Sequence, residues 1–486
     1  MSAQRRIGIF AGACCLVVGA VIPAGPAVAA PAPPPPGMRP VYVTNADSTD
    51  ISTFTVDLGT GQPALTGELV QAGAGVRQLA FTPDARRAYA SNSDDGTISV
   101  YTVGAQGRLT QLAGDAGTVT TGGDTPLGIA VTPQGQMVYV AHVFSNSVAA
   151  FTIASDGSLQ PLGSTPTSVA NPRGLAVTPN GRFLYVGHGD PGADRPTSIG
   201  AITAFAINGD GSLNPIGTPI RVGRFCGAMA ITPDGHNIYL TCTDTDEIHG
   251  FAIGSDGELT PLPRSPYAVS DFPEGITTSP DGRFVYTASV GLGTTPPGDG
   301  AVSGFAIGDN GALRPVPGSP FAAGHNPVGI TIVPNGQYVY ASGGDASGEL
   351  SAFSVGPAGR LRPLSGSPFA TGGLGPAYNS ASVLPNQGPV AHFFIRLDGR
   401  FVTFNSPGSS DVDGDVVLYH WDLGDGTILT TTDARFTHFY RIGTYQVTLT
   451  VTDNEGCSTI RIATGQGVLC NGSSFATSTN TVTVQN

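Results

Sequence analysis

Six segments of the chain repeat one arrangement of apolar and polar positions: an apolar strand, a Pro, a polar turn, then a second apolar strand that contains Tyr. They read LAFTPDARRAYASN, GIAVTPQGQMVYVAH, GLAVTPNGRFLYVGH, AMAITPDGHNIYLTC, GITTSPDGRFVYTAS and GITIVPNGQYVYASG. Their prolines, Pro83, Pro133, Pro179, Pro233, Pro280 and Pro334, recur every 46 to 54 residues. Each unit continues with a third strand that carries an aromatic, such as SVAAFTI or AITAFAI. A DG or NG turn and a fourth strand of the LxPL type follow, as in Asp156–Leu162. Four short antiparallel strands joined by Gly-bearing turns form one small sheet, and a repeat of this length predicts a propeller blade.

Two incomplete units lie at the ends of the repeat. Val41–Asn45 is a second strand without its first, and SASVLP at 380–385 is a first strand without its second. Paired, they make a seventh blade from both chain ends, and a ring closed in this way leaves no sheet edge exposed. A stack of seven solenoid coils, the alternative, would leave both half-units unpaired and would need caps. The repeat stops after Pro385. A turn-rich linker at 386–389 precedes ~100 residues of alternating strands, Thr444–Thr452 among them, a length that suits one sandwich domain. The expected fold is all-β: a seven-bladed propeller over 41–385, then a β-sandwich over 390–486.

The N-terminus has the layout of a secretory signal over 1–29: Arg5 and Arg6, an apolar run from Ile7 to Ile22, and a small-residue site at Ala27-Val28-Ala29. A Pro-rich segment follows at 30–40. The apolar run is shorter than the ~20 residues that cross a bilayer and ends at Pro23, so no transmembrane anchor is expected in the mature chain. The expected location is secreted or extracellular, with attachment to the cell surface left open.

Removal of the signal takes Arg5 and Arg6 and no acid, which moves the formal charge from -13 to -15. Nucleic acid and anionic lipid surfaces need a basic footprint and are disfavoured as partners. No Lys occurs, which excludes Schiff-base chemistry. Four Cys remain beyond the signal, and an oxidising destination predicts two local disulfides, Cys226 with Cys242 and Cys457 with Cys470. The close CxxC spacing of a zinc site is absent.

Tyr42-Val43-Thr44-Asn45 and its variants resemble the YVTN-repeat propellers. The hairpins at Pro280–Tyr286 and Pro179–Val186 resemble the PDGRFxYV hairpins of the bacterial propeller lactonases, the 6-phosphogluconolactonase-like family. The C-terminal part resembles PKD domains: Trp421–Gly426 reads WDLGDG against their WDFGDG, Gly443–Asp453 matches their final strands, and His438 and Tyr440 fall on their HxY. The second resemblance implies an extracellular Ig-like sandwich that acts as a spacer or binding module. The first implies fold more specifically than activity, because the hairpin residues are those that build the blade.

Candidate site residues come from aligning the blades. Six positions before each repeat Pro, at the rim where the first strand begins, stand Arg77, Leu127, Arg173, Gly227, Glu274, Val328 and Asn379. Three positions after each repeat Tyr stand Asn45, Asn92, His142, His188, Cys242, Ser289 and Gly343, expected on the same face of the disc. These positions differ between blades whose other positions vary little. Arg77 and Arg173 suit a carboxylate or other anion, and His142 and His188 suit acid or base chemistry near neutral pH. As a binding protein, the chain would take a glycan, a peptide or a small anion with Arg77, Arg173, Glu274, Asn379, His142 and His188. As a lactone hydrolase or ring-opening isomerase, the reading that the propeller resemblance implies, it would use Glu274 or His142 as base and Arg173 against the oxyanion. Export argues against the phosphosugar lactone best known for that family. No cofactor is required by either reading. Calcium is the ion that Asp411, Asp413 and Asp415 suit, although their loop lacks the remainder of an EF-hand.

Overall fold

A computed structural model of the chain describes residues 37–189, 199–291, 299–344 and 347–485. The expected signal peptide lies outside the described residues. Among them, no helix is long and apolar enough to cross a membrane.

The repeats form seven sheets of four or five antiparallel strands, which we number by their innermost strands. These are Val76–Phe81 (blade 1), Pro126–Val131 (2), Pro172–Val177 (3), Cys226–Ile231 (4), Pro273–Thr278 (5), Gly329–Ile332 (6) and Pro376–Val383 (7). In blade 7 the strand Met38–Asn45 lies between Pro376–Val383 and Asp50–Asp57, with Val41 opposite Val383 and Val43 opposite Ala381. That strand starts at Met38, within the segment expected to precede the propeller.

The Tyr of each repeat bonds the glycine of a turn in the next blade, a DG or NG turn in blades 2 to 5. A buried phenol needs a hydrogen-bond partner, and each finds it in the turn of the next blade. Tyr89 donates to the Gly157 carbonyl at 3.0 Å, Tyr139 to Gly211 at 2.9 Å, Tyr185 to Gly257 at 3.0 Å, Tyr239 to Gly311 at 2.7 Å and Tyr286 to Gly359 at 2.9 Å. Tyr340 reaches Gly61 at 2.7 Å and Tyr42 reaches Gly107 at 2.6 Å, so the series runs through the sheet built from both chain ends. Gly257 shows why the acceptor is a glycine: its φ is +87°, and a Cβ there would lie 2.6 Å from Phe183 of the preceding blade.

The C-terminal domain is a sandwich of a three-stranded sheet (Phe394–Asp398, Phe401–Asn405, Arg435–Phe439) and a four-stranded sheet that includes Val416–Asp422 and Gly443–Asp453. Trp421, Phe393, Phe404, Tyr440 and Leu449 fill its core, and Tyr440 Oη donates to the Leu423 carbonyl at 2.9 Å. Both expected disulfides are present, Cys226–Cys242 and Cys457–Cys470.

The turn-rich 386–389 is not a free tether. Asn386–Gln387 pairs in parallel with Val468–Asn471, and Asn386 is buried. Beside it, Arg39 of the first propeller strand is wholly buried against the sandwich. Its guanidinium donates to Asp413 Oδ2 at 2.8 Å, to Asn386 Oδ1 at 2.9 Å and to both carboxylate oxygens of Glu455. A buried cation with this many charge-assisted partners joins the two domains, since removal of Arg39 would leave the Asp413 and Glu455 carboxylates unpaired in the interior.

Candidate functional site at the channel mouth

Each inner strand opens at the rim, and the residue just inside it differs between blades. Arg77 lies on blade 1, Arg173 on blade 3, Gly227 on blade 4 and Glu274 on blade 5. Glu274 is buried, and its Oε2 has no hydrogen-bond partner among the described residues. Burial pushes its carboxyl above the usual range; Arg173 and Arg77 pull it back down, and Asp244 pushes it up. Both arginines therefore act on one carboxyl, yet neither forms an ion pair with it within 4.0 Å among the described residues. Arg77 is engaged elsewhere, donating to Ser93 Oγ at 2.9 Å with Asp94 at 3.9 Å.

Arg173 is held by rings. Its guanidinium carbon lies 4.0 Å from the Phe225 centroid and 5.3 Å from that of Tyr378. Such cation–π contacts fix the plane of the group while its N–H donors stay available. Tyr378 comes from blade 7, where the register with Met38–Asn45 breaks between Val43 and Asn45 and the strand bulges. Asn379 supports the bulge with φ +55°, a left-handed backbone that Asn tolerates, and its N–H bonds the Val328 carbonyl at 3.2 Å. Tyr378 thus reaches the Arg173 side of the mouth, over Gly227: a Cβ at that glycine would lie 2.6 Å from Tyr378 Oη. The phenol is buried, has no partner within hydrogen-bond geometry among the described residues and is held protonated by burial, which pushes its pKa up.

The structure thus brings Arg77, Arg173, Glu274 and Asn379 to one mouth and adds Tyr378 and Phe225, which the blade alignment passed over. One signal for Tyr378 was available. Four other blades run from Pro126 to Pro133, Pro172 to Pro179, Pro273 to Pro280 and Pro327 to Pro334, whereas blade 7 runs from Pro376 to Pro385, two residues longer.

His142 and His188 do not face this cluster. Both are fully buried inside their blades. His142 Nδ1 lies 3.3 Å from Ser147 Oγ under Gly123, where a Cβ would run into the imidazole. His188 bonds the Ala170 carbonyl at 3.2 Å and Thr203 Oγ1 at 2.9 Å. Burial pushes both imidazoles down to about 4, so both are neutral near pH 7. Asn45 and Asn92 occupy the same register and likewise bond their third strands, to Asp50 and Ser52 and to Thr97 and Ser99. The two rings lie at the same end of the blades, since His142 pairs with Pro126 and His188 with Pro172, yet both histidines bond their own third strands, whereas Arg173, at the register shift between Pro172 and Gly174, reaches Phe225 and Tyr378.

In the acidic loop Asp413 accepts from Arg39 and from the Gln387 N–H, Asp415 is exposed, and Asp411 is pushed up to about 8 by burial and by Asp413 and Asp453. Among the described residues no group of three or more His, Cys, Asp or Glu side chains could hold a metal ion.

The family described as lactonase, seven-bladed β-propeller matches residues 33–224 and 229–374, more than half of the chain, and the PKD domain matches residues 386–465. The pre-pro-metalloprotease PrtV of Vibrio cholerae is 46% identical over 74 residues, 15% of this chain and 8% of that protein. The 6-phosphogluconolactonase of Pectobacterium atrosepticum is 33% identical over 105 residues, 20% of this chain and 30% of that one. The chain thus spans under a third of the length of either curated relative. The solved structure of the periplasmic gluconolactonase PpgL of Pseudomonas aeruginosa superposes with a TM-score of 0.57 at 18% identity, over 71% of this chain and 99% of that one, a likeness of fold. The chain therefore belongs to the seven-bladed β-propeller lactonase family, with a PKD domain following the propeller.

Proposed function

We propose that the mouth lined by Arg173, Arg77, Glu274 and Tyr378 is a hydrolytic site for a lactone. The observation that carries this reading is the buried Glu274 carboxyl, raised in pKa and with its Oε2 unpartnered among the described residues, in the field of an arginine held on aromatic rings. A carboxyl raised toward neutrality suits general acid–base work. As the carboxylate, Glu274 takes a proton from water as the water oxygen adds to the lactone carbonyl. Arg173 stabilises the oxyanion, and the ring C–O bond then breaks as the proton returns to the leaving alkoxide. Membership in the lactonase family supports the reaction class, and the expected export favours lactones other than phosphosugar lactones, sugar-acid lactones among them. The protein from residue 30 onward, assayed on a lactone panel, should turn over at least one member. Failure on every lactone would sink the reading.

Binding of a small anion or glycan without turnover is the second reading, favoured by the absence of a carboxylate ion pair on Arg173 among the described residues. Calorimetry against organic anions, glycans and peptides then finds a ligand whose affinity drops in Arg77→Ala or Arg173→Ala, and indifference to both refutes it. Secretion or exposure at the cell surface belongs to either reading.

Ring closure through Met38–Asn45 is part of the same proposal. Deletion of 38–45 removes the pairing with Pro376–Val383 and the Tyr42 link, and cooperative thermal unfolding should be lost. An unchanged transition would contradict it.

A further inference from the structure

The innermost strands of a propeller leave backbone groups facing the channel, and at the mouth away from Arg173 the PKD domain meets some of them. Ile462–Ala463 and Val468–Asn471 form a small hairpin whose turn, Thr464–Gly467, enters the channel. The Val177 N–H of blade 3 donates to the Gly465 carbonyl at 2.9 Å, and the Ile231 N–H of blade 4 donates to the Thr464 carbonyl at 2.9 Å. Gln466 Nε2 donates to the Met229 carbonyl of blade 4 at 2.9 Å and to the Ile276 carbonyl of blade 5 at 3.0 Å. Gly465 permits the approach, since a Cβ there would lie 2.9 Å from Ile231. Above the turn a cavity of about 50 Å³ remains, lined by Gln78, Thr277, Thr331 and Ser382. The Cys457–Cys470 disulfide ties the base of the hairpin to the sandwich.

These four bonds reach three of the seven inner strands, and those three carry Arg173, Gly227 and Glu274 at their opposite ends. We propose that Gln466 is a positioning residue for the channel-mouth site. With its turn it seals the second mouth and fixes the mutual spacing of blades 3, 4 and 5, which makes the PKD domain part of the site rather than a spacer. This rests on the reading of the Arg173 mouth as the functional one.

The test uses the full exported chain with Gln466→Ala and with Gln466→Glu, the latter setting a carboxylate against two carbonyls. Amide exchange at Val177 and Ile231 should quicken about tenfold or more in Gln466→Glu and by a smaller factor in Gln466→Ala. The Glu274 carboxyl, followed by NMR, should titrate closer to the ordinary range as water gains the channel from both ends. With D-glucono-δ-lactone as probe, kcat should fall more than KM rises. Unchanged exchange and unchanged Glu274 titration in both variants would overturn the proposal, and so would a lowered Tm with neither of those changes. Absence of turnover in the unmodified protein counts against the lactone reading alone, because exchange and titration decide the role of Gln466 without it.

Discussion

Arg173 and His188 sit at the same end of blade 3, and the fold uses them for opposite purposes. His188 pairs across the sheet with Pro172 and spends both ring nitrogens on its own blade. Arg173 lies one residue further along the inner strand and is held against Phe225 and Tyr378 with no ion pair among the described residues. The same contrast holds between His142 and Glu274: each has a buried atom without a hydrogen-bond partner among the described residues, but Glu274 stands in the field of two arginines whereas His142 has the charge of Asp124 nearby. A polar residue at a propeller rim is thus a lock or a ligand group according to whether its side chain bonds its own blade or stands among the groups of the mouth.

The sharpest way to break this contrast is through turnover. Glu274→Gln and Arg173→Ala should each lower kcat/KM on a responsive lactone by about a hundredfold or more, whereas His142→Asn and His188→Asn should stay within about threefold. Equal losses at both rings would erase the distinction, and turnover indifferent to Glu274→Gln and Arg173→Ala would remove the proposed site.

Stability should sort the residues the other way. Both histidines are held neutral, down to about 4, whereas an unfolded His takes up its proton near ~6.5. The stability they contribute is complete above the unfolded pKa and is lost as pH falls toward 4, on the order of a few kcal/mol in all. Asp411 acts in the opposite sense: raised to about 8, it contributes stability that is lost as pH rises through that value. Replacement of both histidines by Asn, the residue that blades 7 and 1 use in this register, should flatten the acid limb of a Tm-against-pH curve. A limb unchanged in the double variant would contradict the assignment.

The smallest expected effect is at Tyr378. Its Oη has no hydrogen-bond partner among the described residues, so Tyr378→Phe should leave stability within about 0.5 kcal/mol while it weakens turnover or anion affinity about tenfold. A loss of stability with unchanged function would make Tyr378 a packing residue only.

Much of this was legible along the chain. The repeat prolines mark the blades, the DG or NG turns mark the step to the fourth strand, and both disulfides follow from local spacing, whereas the bond from each repeat Tyr to a turn Gly of the next blade joins residues that no local pattern links. Arg173 and Glu274 stood out because they are charged residues at a position that varies between blades otherwise alike. Tyr378 was hidden because its half-unit has no intact neighbour to align with and its strand bulges. The histidines misled because a repeat alignment registers distance along a strand but not whether a side chain bonds its own blade.

By itself, the sequence determined everything that recurs at short range: strand, turn, blade period and the sandwich core around Trp421. Tertiary structure alone decided which rim residues converge, that Asp413 neutralises Arg39, and that Gln466 reaches the channel. The physical reason is separation. Arg39 and Glu455 lie 416 positions apart and Gln466 and Met229 lie 237 apart, and contacts of that span are set by how the ring and the sandwich dock, with no local pattern to announce them.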